Sequence, residues 1–312
     1  MAHDITIHKK TRGQYFTESN PFQHPSFLRW AHESGMKHSI VLEPFAGSNS
    51  IIDHLASMSL CEKSKSYDIE PANDRVELRD TLLDFPTGFN VCVTNPPWLA
   101  RNIATFKDID FPEGKYANLY QYALLNCLEH CDWVAALLPE SFIRTQTFRD
   151  RLSSFVSITE CLFTDTDHPV GLALFTPHMS NKIDVWTGNQ FVGVLENLED
   201  EYPVPLEDGV SVAFNQSSGN VGLYALDNTL YPSIRFCPPE ELDGYTVKST
   251  GRHITKLQVD GDVSIDKWNK FLNKFREKTR DVFMTCYKGM RKDGMYRRRL
   301  DWQLARGIIH NA

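Results

Sequence analysis

The apolar positions of the first 180 residues alternate between short runs typical of buried strands and spacings typical of helices. Apolar runs at residues 39–42, 90–94 and 133–138 predict strands, and helical periodicity follows at residues 51–58 and 119–130. Strands that alternate with helices at this spacing indicate a parallel sheet with helices on both faces. The predicted fold class is therefore α/β, with a doubly wound, mostly parallel sheet.

Further elements extend the same pattern. Residues 25–33 predict a short helix that Gly35 terminates, and residues 141–155 predict another helical stretch. Another strand is expected to end at residues 67–69, and two more are expected at residues 158–163 and 171–175.

The pattern changes after about residue 180. Short β-like runs at residues 210–214 and 221–226 lie between clusters of Gly, Asn, Ser and Pro, and residues 266–283 predict an amphipathic helix. The sequence therefore predicts two domains, an α/β domain at residues 1–180 and a smaller mixed module at residues 181–312.

Composition restricts the class of protein. The 312-residue chain is 41% hydrophobic and 23% charged, which is ordinary for a soluble globular protein. No signal peptide or membrane span is expected, because the first ten residues carry no apolar stretch and the longest apolar runs are short. Seven cysteines without a Cys-x-x-Cys pair favour reduced thiols, a cytoplasmic location and no metal site.

Charge is distributed unevenly along the chain. The formal net charge is −7, yet residues 246–312 hold 16 basic and 7 acidic residues, and the remainder holds 17 basic and 33 acidic ones. An acidic body with a basic C-terminal fifth is typical of a protein whose C-terminal end meets phosphates.

The turn after the first predicted strand is the first candidate binding site. Residues 43–49 are Glu-Pro-Phe-Ala-Gly-Ser-Asn, and Gly47 allows the positive φ that a ligand-binding turn requires. Asp68 ends the next strand, where a carboxylate can accept hydrogen bonds from ribose hydroxyls. Glu43 adds a carboxylate for an ammonium group, and the spaced glycines of dinucleotide-binding turns are missing. A ribose site beside an ammonium site predicts S-adenosylmethionine as the cofactor.

The segment Asn95-Pro96-Pro97-Trp98 follows a buried strand and is the candidate catalytic site. An adenine amino nitrogen is a poor nucleophile because its lone pair is delocalised into the ring. The Asn95 side-chain oxygen and the Pro96 carbonyl can accept its two N–H bonds and so free that lone pair. Trp98 offers a face on which a base can stack. The motif therefore predicts methyl transfer to an exocyclic amino group.

At these residues the chain resembles the gamma class of amino-methylating DNA methyltransferases, within the class I S-adenosylmethionine-dependent superfamily. The resemblance covers about residues 11–177 and implies a seven-stranded methyltransferase sheet. The segments that carry it, in the order the class uses, are Gly13-Gln14-Tyr15-Phe16-Thr17, residues 43–49, Tyr67-Asp68-Ile69-Glu70-Pro71, Asp80-Thr81-Leu82, residues 95–98, Leu138-Pro139-Glu140-Ser141-Phe142 and residues 171–175.

The resemblance implies roles for individual residues. The implied cofactor-binding residues are Tyr15, Phe16, Thr17, Glu43, Pro44, Phe45, Gly47, Asp68, Ile69, Asp80, Thr81 and Asn95. The resemblance also implies that Phe175 packs on the flipped target base opposite Trp98. Asn49 stands where the family usually has a second glycine, and Trp98 stands where Tyr or Phe is usual. We call residues 95–98 the tetrad. Because N4-cytosine enzymes usually have Ser at the first position of the tetrad, Asn95 favours N6 of adenine in duplex DNA.

The basic C-terminal module is interpreted as the target-recognition domain, by analogy with the layout of the family. Four lysines form a separate stripe on its predicted helix, and a solvated face explains them as well as DNA contact does. Phosphate contacts are expected at Arg291, Lys292, Arg297, Arg298 and Arg299. The expected partner is duplex DNA, and a cognate restriction endonuclease of the same system is a further candidate.

Two other interpretations stay open. Protein-glutamine methyltransferases and ribosomal-RNA guanine methyltransferases carry the same tetrad, so a protein amide or an RNA base is an alternative acceptor. A methyltransferase fold kept only to bind DNA is the non-catalytic alternative. Intact Glu43, Asp68, Asp80 and Asn95 count against it.

Overall fold

The computed structural model describes residues 20–160, 162 and 168–312 of the chain. The chain divides into two compact units, one ending at Phe191 and the other comprising Val192–Ala312. The division lies later than the predicted change at residue 180, because a strand at Asp184–Thr187 still pairs within the sheet of the first unit. The functions assigned above to the two regions remain predictions.

In the described part of the chain, nine strands form the central sheet. In chain order they are β1 (Ile40–Glu43), β2 (Lys63–Asp68), β3 (Glu77–Leu78), β4 (Val91–Thr94), β5 (Trp133–Pro139), β6 (Leu152–Ser157), β7 (Val170–Phe175), β8 (Asp184–Thr187) and β9 (Gln190–Val194). The α-helices of the first unit are α1 (Pro25–Glu33), α2 (Ser50–Ser57), α3 (Arg101–Phe106) and α4 (Leu119–His130).

The strand order is β3-β2-β1-β4-β5-β7-β6-β8-β9. The strands from β3 to β5 run parallel, and β7 is antiparallel to both of its neighbours, β5 and β6. The predicted α/β class with a mostly parallel sheet is confirmed. Strands β8 and β9 extend it beyond the seven strands that the resemblance implies. Because β1, β2 and β4 are parallel neighbours, their carboxyl ends lie at one edge of the sheet.

The core of the first unit lies against this sheet. All four residues of β4 are buried, and the side chains of Phe27 and Trp30 bring α1 into the same apolar cluster. The indole Nε1 of Trp30 donates a hydrogen bond to the carbonyl of Phe175 over 2.8 Å. Helix α1 has the predicted bounds and is followed by Gly35 at φ +63°, a conformation that glycine adopts without strain.

Two predicted elements are wrong. The stretch predicted as helical at residues 141–155 is a 3₁₀ turn at Glu140–Arg144 followed by β6. The buried apolar residues of β6, such as Phe155 and Val156, fit either periodicity, which is the usual ambiguity of short apolar runs. The strand predicted at residues 158–163 is also wrong, because β6 ends at Ser157 and the described residues of that range, 158–160 and 162, belong to no strand.

The second unit combines an antiparallel sheet with a separate two-stranded ribbon. Its elements are α5 (Leu195–Glu199), β10 (Val212–Phe214), β11 (Val221–Tyr224), β12 (Arg235–Cys237), β13 (Ile254–Val259), α6 (Ile265–Thr279), β14 (Thr285–Met290), β15 (Tyr296–Arg299) and α7 (Trp302–Asn311). The four-stranded sheet has the order β10-β13-β11-β12, and β14 pairs with β15. Helix α6 buries Trp268, Leu272 and Phe275 as predicted, but it ends at Thr279 because Arg280 is left-handed, with φ +48°.

Candidate functional site

A cavity of about 860 Å³ opens at the carboxyl ends of β1, β2 and β4. This volume lies within the range of small-molecule binding pockets. Each strand contributes a lining residue at or just after its end: Phe45 and Gly47 from the turn after β1, Asp68 from β2, and Asn95 from the segment after β4. The structure therefore brings the predicted cofactor turn, the predicted ribose-binding acid and the first tetrad residue to one cavity.

The turn between β1 and α2 is held by backbone geometry and by β2. Gly47 has φ +50°, and Asn49, which caps α2, has φ +70°. Asn is among the few residue types that tolerate this left-handed region. The buried Asn49 side-chain oxygen also accepts a hydrogen bond from the Ser66 hydroxyl over 2.7 Å. Asn49 thus adopts the backbone conformation for which a second glycine would be suited.

The Asp68 carboxylate organises the ribose end of the cavity. Its Oδ2 accepts a hydrogen bond from Gly47 N at 2.8 Å, and its Oδ1 accepts one from Glu70 N at 2.8 Å. Only 5% of the residue is exposed, yet it lines the cavity. Because each carboxylate oxygen has two acceptor sites, these bonds fix the group and still leave capacity for hydroxyl donors.

Asp80 and Thr81 form another part of the lining. Asp80 Oδ1 accepts a hydrogen bond from Leu82 N at 3.1 Å. The buried hydroxyl of Thr81 donates to the carbonyl of Pro44 over 2.7 Å, which joins this segment to the β1 turn. Ile69 also lines the cavity, beside Asp68.

Glu43 was predicted to offer its carboxylate to the ammonium group of the ligand, but the structure places it in the interior. It is completely buried rather than exposed to a ligand, and its Oε1 accepts hydrogen bonds from the Thr94 hydroxyl at 2.6 Å and from Phe45 N at 3.1 Å. Burial raises its pKa to about 8, although these hydrogen bonds act in the opposite direction. Glu43 therefore links β1 to β4 as a carboxyl that is largely protonated at neutral pH.

The tetrad is divided between cavity and interior. Asn95 and Pro97 line the cavity, whereas Pro96 is buried and Trp98 is half-buried against the core. The Trp98 indole Nε1 donates to the carbonyl of Leu137 in β5 over 3.3 Å, which fixes the ring beside the sheet.

Phe175 is wrongly placed by the sequence prediction. The strand was predicted correctly, but β7 runs antiparallel to β5, so Val170 pairs with Pro139 and Phe175 pairs with Val134. Phe175 therefore lies at the amino end of β5, opposite to the edge that carries the cavity. It is fully buried, with its ring against Phe142, and cannot stack on a ligand in this arrangement.

Sequence reasoning missed one wall of the cavity, formed by residues 108–112 together with Tyr122 and Asn126. Arg101 holds this wall. Its guanidinium lies 4.5 Å from the Phe111 ring centroid and donates to the carbonyl of Pro112 at 3.1 Å and to the Tyr122 hydroxyl at 3.0 Å. The position of Arg101, three residues after the tetrad, is the one signal that could have suggested this role.

The lining carries negative charge. In the described part of the chain, one guanidinium, that of Arg79, lines the cavity beside five carboxyl groups. The five acidic residues are Asp68, Glu70, Asp80, Asp108 and Asp110. Arg79 is itself paired with Asp84 over 2.8 Å. Such a lining favours a cationic ligand over a polyphosphate.

The basic residues predicted to contact DNA are divided by the fold. Arg291 and Arg298 are buried, with 7% and 2% of each residue exposed, so neither is placed to meet a phosphate. Arg291 instead pairs with the buried Asp227 over 2.8 Å. Lys292 is exposed, and Arg297 and Arg299 are partly exposed.

Three predicted cofactor residues, Tyr15, Phe16 and Thr17, lie outside the described residues. Among the residues that are described, no group of three or more His, Cys, Asp or Glu side chains is arranged to hold a metal ion. Within the same ranges, no helix combines the length and apolar character needed to cross a membrane.

No protein-family model matches the chain, and no curated protein matches its sequence. Solved structures do match. A protein from Listeria monocytogenes assigned to the class I S-adenosylmethionine-dependent methyltransferases has a TM-score of 0.40 and 11% identity, over 53% of this chain and 64% of that one. A type I restriction-modification methyltransferase subunit from Streptococcus thermophilus has a TM-score of 0.41 and 13% identity, over 79% of this chain and 61% of that one.

A third match is a protein from Vibrio vulnificus YJ016 assigned as the modification subunit of a type I restriction enzyme. Its TM-score is 0.40 and its identity 15%, over 60% of this chain and 50% of that one. The matched regions thus span less than two thirds of each of these three chains.

Proposed function

We propose that the chain is an S-adenosylmethionine-dependent methyltransferase that methylates the exocyclic N6 amino group of adenine in duplex DNA. The proposal assigns catalysis to the first unit and target recognition to the second. One observation carries it: Asn95, which begins the Asn-Pro-Pro-Trp segment, lines the same cavity as Asp68 and Asp80.

The volume, polarity and charge of the cavity support this cofactor. Asp68 offers acceptors for ribose hydroxyls, Asp80 offers one for an adenine amino group, and the Gly47 turn lets a ligand approach the backbone. The acidic lining matches a ligand with net positive charge and disfavours a dinucleotide. When bound, S-adenosylmethionine supplies an electrophilic methyl group on a sulfonium.

The residues after β4 would activate the target amino group, which is the acceptor of the methyl group. The Asn95 side-chain oxygen and the Pro96 carbonyl accept the two N–H bonds of the target amino group, which localises its lone pair for attack. Proline has no N–H that could compete for the same acceptors, and it restricts the backbone of the loop. Trp98, fixed by its hydrogen bond to Leu137, supplies a rigid stacking face for the base.

Adenine within a duplex reaches such a site only after leaving the helical stack. Extrusion costs a few kcal/mol, and stacking on an aromatic ring returns about 1–3 kcal/mol. Because Phe175 is fully buried at the opposite edge of the sheet, the proposal assigns stacking to Trp98 alone, whose ring is half-buried against the core. The basic residues exposed on the second unit supply the phosphate contacts that the acidic first unit lacks.

A single substitution tests the proposal. The variant Asn95→Ala should lose methyl transfer to DNA while it keeps most of its calorimetric affinity for S-adenosylmethionine, because Asn95 is one of twelve implied cofactor residues and its side-chain oxygen also serves the target base. Asn102→Ala removes the same side chain at an exposed position of α3 and should retain activity. Near-normal transfer by Asn95→Ala would contradict the assigned mechanism.

A further inference from the structure

The ribbon of β14 and β15 concentrates positive charge. Residues 285–299 hold six basic residues and one acidic residue. The register pairs Tyr287 with Arg297 and Thr285 with Arg299, so these four side chains share one face of the ribbon. Cys286 and Arg298 pair on the opposite face, where Arg298 is buried. We call the face that carries Tyr287, Arg297 and Arg299 the cationic ribbon face.

Carboxylates pair with two of the buried arginines of the second unit, Arg276 and Arg291. Asp227, which is fully buried, accepts hydrogen bonds from both terminal nitrogens of Arg276 and from Arg291, at 2.8–3.0 Å. Asp281 completes the pairing of Arg276, and Asp293 completes that of Arg291. The acidic residue of the ribbon, Asp293, is therefore engaged by Arg291 and does not offset the charge of the cationic ribbon face.

Asp227 and Tyr287 also hold the side chain of Arg297 on the cationic ribbon face. Arg297 Nε donates to the backbone carbonyl of Asp227 at 2.7 Å, and its guanidinium lies 5.4 Å from the Tyr287 ring centroid. The ring of His253 makes an edge contact with Tyr287 at 5.1 Å. Partial burial, followed by the charges of Arg299 and Arg297, lowers the pKa of His253. Lys288 and Lys292 are exposed on the same hairpin.

We infer that the cationic ribbon face binds the sugar–phosphate backbone of duplex DNA, with the exposed Lys288 and Lys292 of the same hairpin as flanking phosphate contacts. The inference rests on the proposed function, since DNA is the substrate there. Arginine presents a rigid fork of donors that matches phosphate oxygens, and here Arg297 is already held by Asp227 and Tyr287. Less side-chain entropy is then lost when a phosphate binds.

Helix α6 is the alternative surface for DNA binding. Acidic residues offset part of its positive charge, and its lysine side chains are less constrained than Arg297. Its lysines, which are Lys267, Lys270, Lys274 and Lys278, are exposed on flexible stems. They share the helix with Asp266 and Glu277, and Lys278 is paired with Glu201. The helix therefore provides a matched control rather than the preferred site.

The test measures the affinity of the full chain for a fluorescent 30-base-pair duplex of mixed sequence over a range of NaCl concentrations. Each phosphate contact contributes about 0.9 to the slope of log affinity against log salt. The double variant Arg297→Ala/Arg299→Ala should bind several unrelated duplexes more weakly, with a slope lower by about 2. The double variant Lys270→Ala/Lys274→Ala removes the same charge from α6 and should bind like the unsubstituted chain.

A second pair of substitutions protects the test against misfolding. Lys288→Ala/Lys292→Ala alters two exposed side chains and should also reduce the slope. The inference is overturned if the unsubstituted chain does not bind duplex DNA, if both ribbon variants keep its slope, or if the α6 variant loses as much affinity. Normal salt-dependent DNA binding without methyl transfer would support the inference while contradicting the proposed function, so the two failures are distinguishable.

Discussion

The backbone N–H of Gly47 donates a hydrogen bond to Asp68 Oδ2 over 2.8 Å. The bond joins the turn after β1 to the end of β2, across 21 residues of sequence. The other Asp68 oxygen receives Glu70 N, so one carboxylate sets the position of two loops at the cavity. The residue predicted to bind the ribose thus also builds the turn that approaches the cofactor.

Asp68→Asn should weaken S-adenosylmethionine binding by about 10- to 100-fold, because the amide replaces one of two acceptor oxygens by a donor. One backbone N–H would then face an NH₂ group and the turn would lose its fixed position. Isothermal titration calorimetry measures this loss directly. Asp74→Asn removes the same charge at an exposed position and should keep full affinity; equal affinities of the two variants would remove Asp68 from the site.

Arg101→Met should weaken cofactor binding and lower the free energy of unfolding by about 1–3 kcal/mol. Methionine can still contact Phe111, but it loses the hydrogen bonds that hold the wall at residues 108–112. Calorimetry and urea unfolding measure the two effects. Arg75→Met, which breaks an exposed ion pair with Asp53, is the matched control and should leave the free energy of unfolding nearly unchanged. If Arg101→Met bound S-adenosylmethionine as tightly as Arg75→Met does, the wall would not contact the cofactor.

Glu43 should make the unfolding free energy depend on pH. Burial raises its pKa from 4.5 to about 8, so the folded chain keeps a proton that the unfolded chain releases. The stabilisation is complete below pH 4.5 and is lost as pH rises to about 8, at no more than about 1.4 kcal/mol per pH unit.

Glu43→Gln imitates the protonated carboxyl and should remove this pH dependence, because the amide oxygen can still accept from Thr94 and Phe45. Urea unfolding between pH 5 and pH 8.5 provides the comparison. Glu129→Gln, at an exposed position of α4, should behave like the unsubstituted chain. If Glu43→Gln retained the full slope, the carboxyl would have to be ionised in the fold.

Asp227→Asn should destabilise the second unit by about 3–5 kcal/mol, because it leaves Arg276 and Arg291 buried without a full counter-charge. Burial alone would raise the pKa of Asp227, but the hydrogen bonds and charge of Arg276 lower it. This stabilisation is present above the ordinary pKa of 3.8 and is lost as pH falls through the lowered value.

Urea unfolding at neutral pH tests the effect of Asp227→Asn. Asp243→Asn removes a carboxylate from an exposed pair with Lys256 and should cost about 1 kcal/mol or less. A cost as small as this control would mean that the buried cluster contributes nothing net to the stability of the unit.

The sequence predicted the elements that build the cavity because their signals are local. An apolar run that ends at Glu43 or Thr94 marks a strand, and a glycine turn follows from the φ it requires. The spacing of Gly47 and Asp68 predicted two adjacent carboxyl ends, and the strand order β2-β1-β4 brings them to the same edge as Asn95.

Other features depend on pairing between distant segments, which periodicity does not contain. The strand that ends at Phe175 was recognised, but its antiparallel direction comes from its pairing with β5. Three consecutive arginines indicated one basic surface, yet the register of the ribbon turns Arg298 inward. Arg291 is buried because Asp227, 64 residues earlier, is its partner. The wall held by Arg101 has no periodic signal at all.

The most direct test of the central claim is transfer of a deuterated methyl group from S-adenosylmethionine to unmodified genomic DNA, followed by digestion to nucleosides and mass spectrometry. The account predicts trideuteromethyl-labelled N6-methyladenine with the unsubstituted chain and none with Asn95→Ala. No labelled base, in a preparation that binds the cofactor, would contradict it and shift the acceptor to RNA or a protein amide.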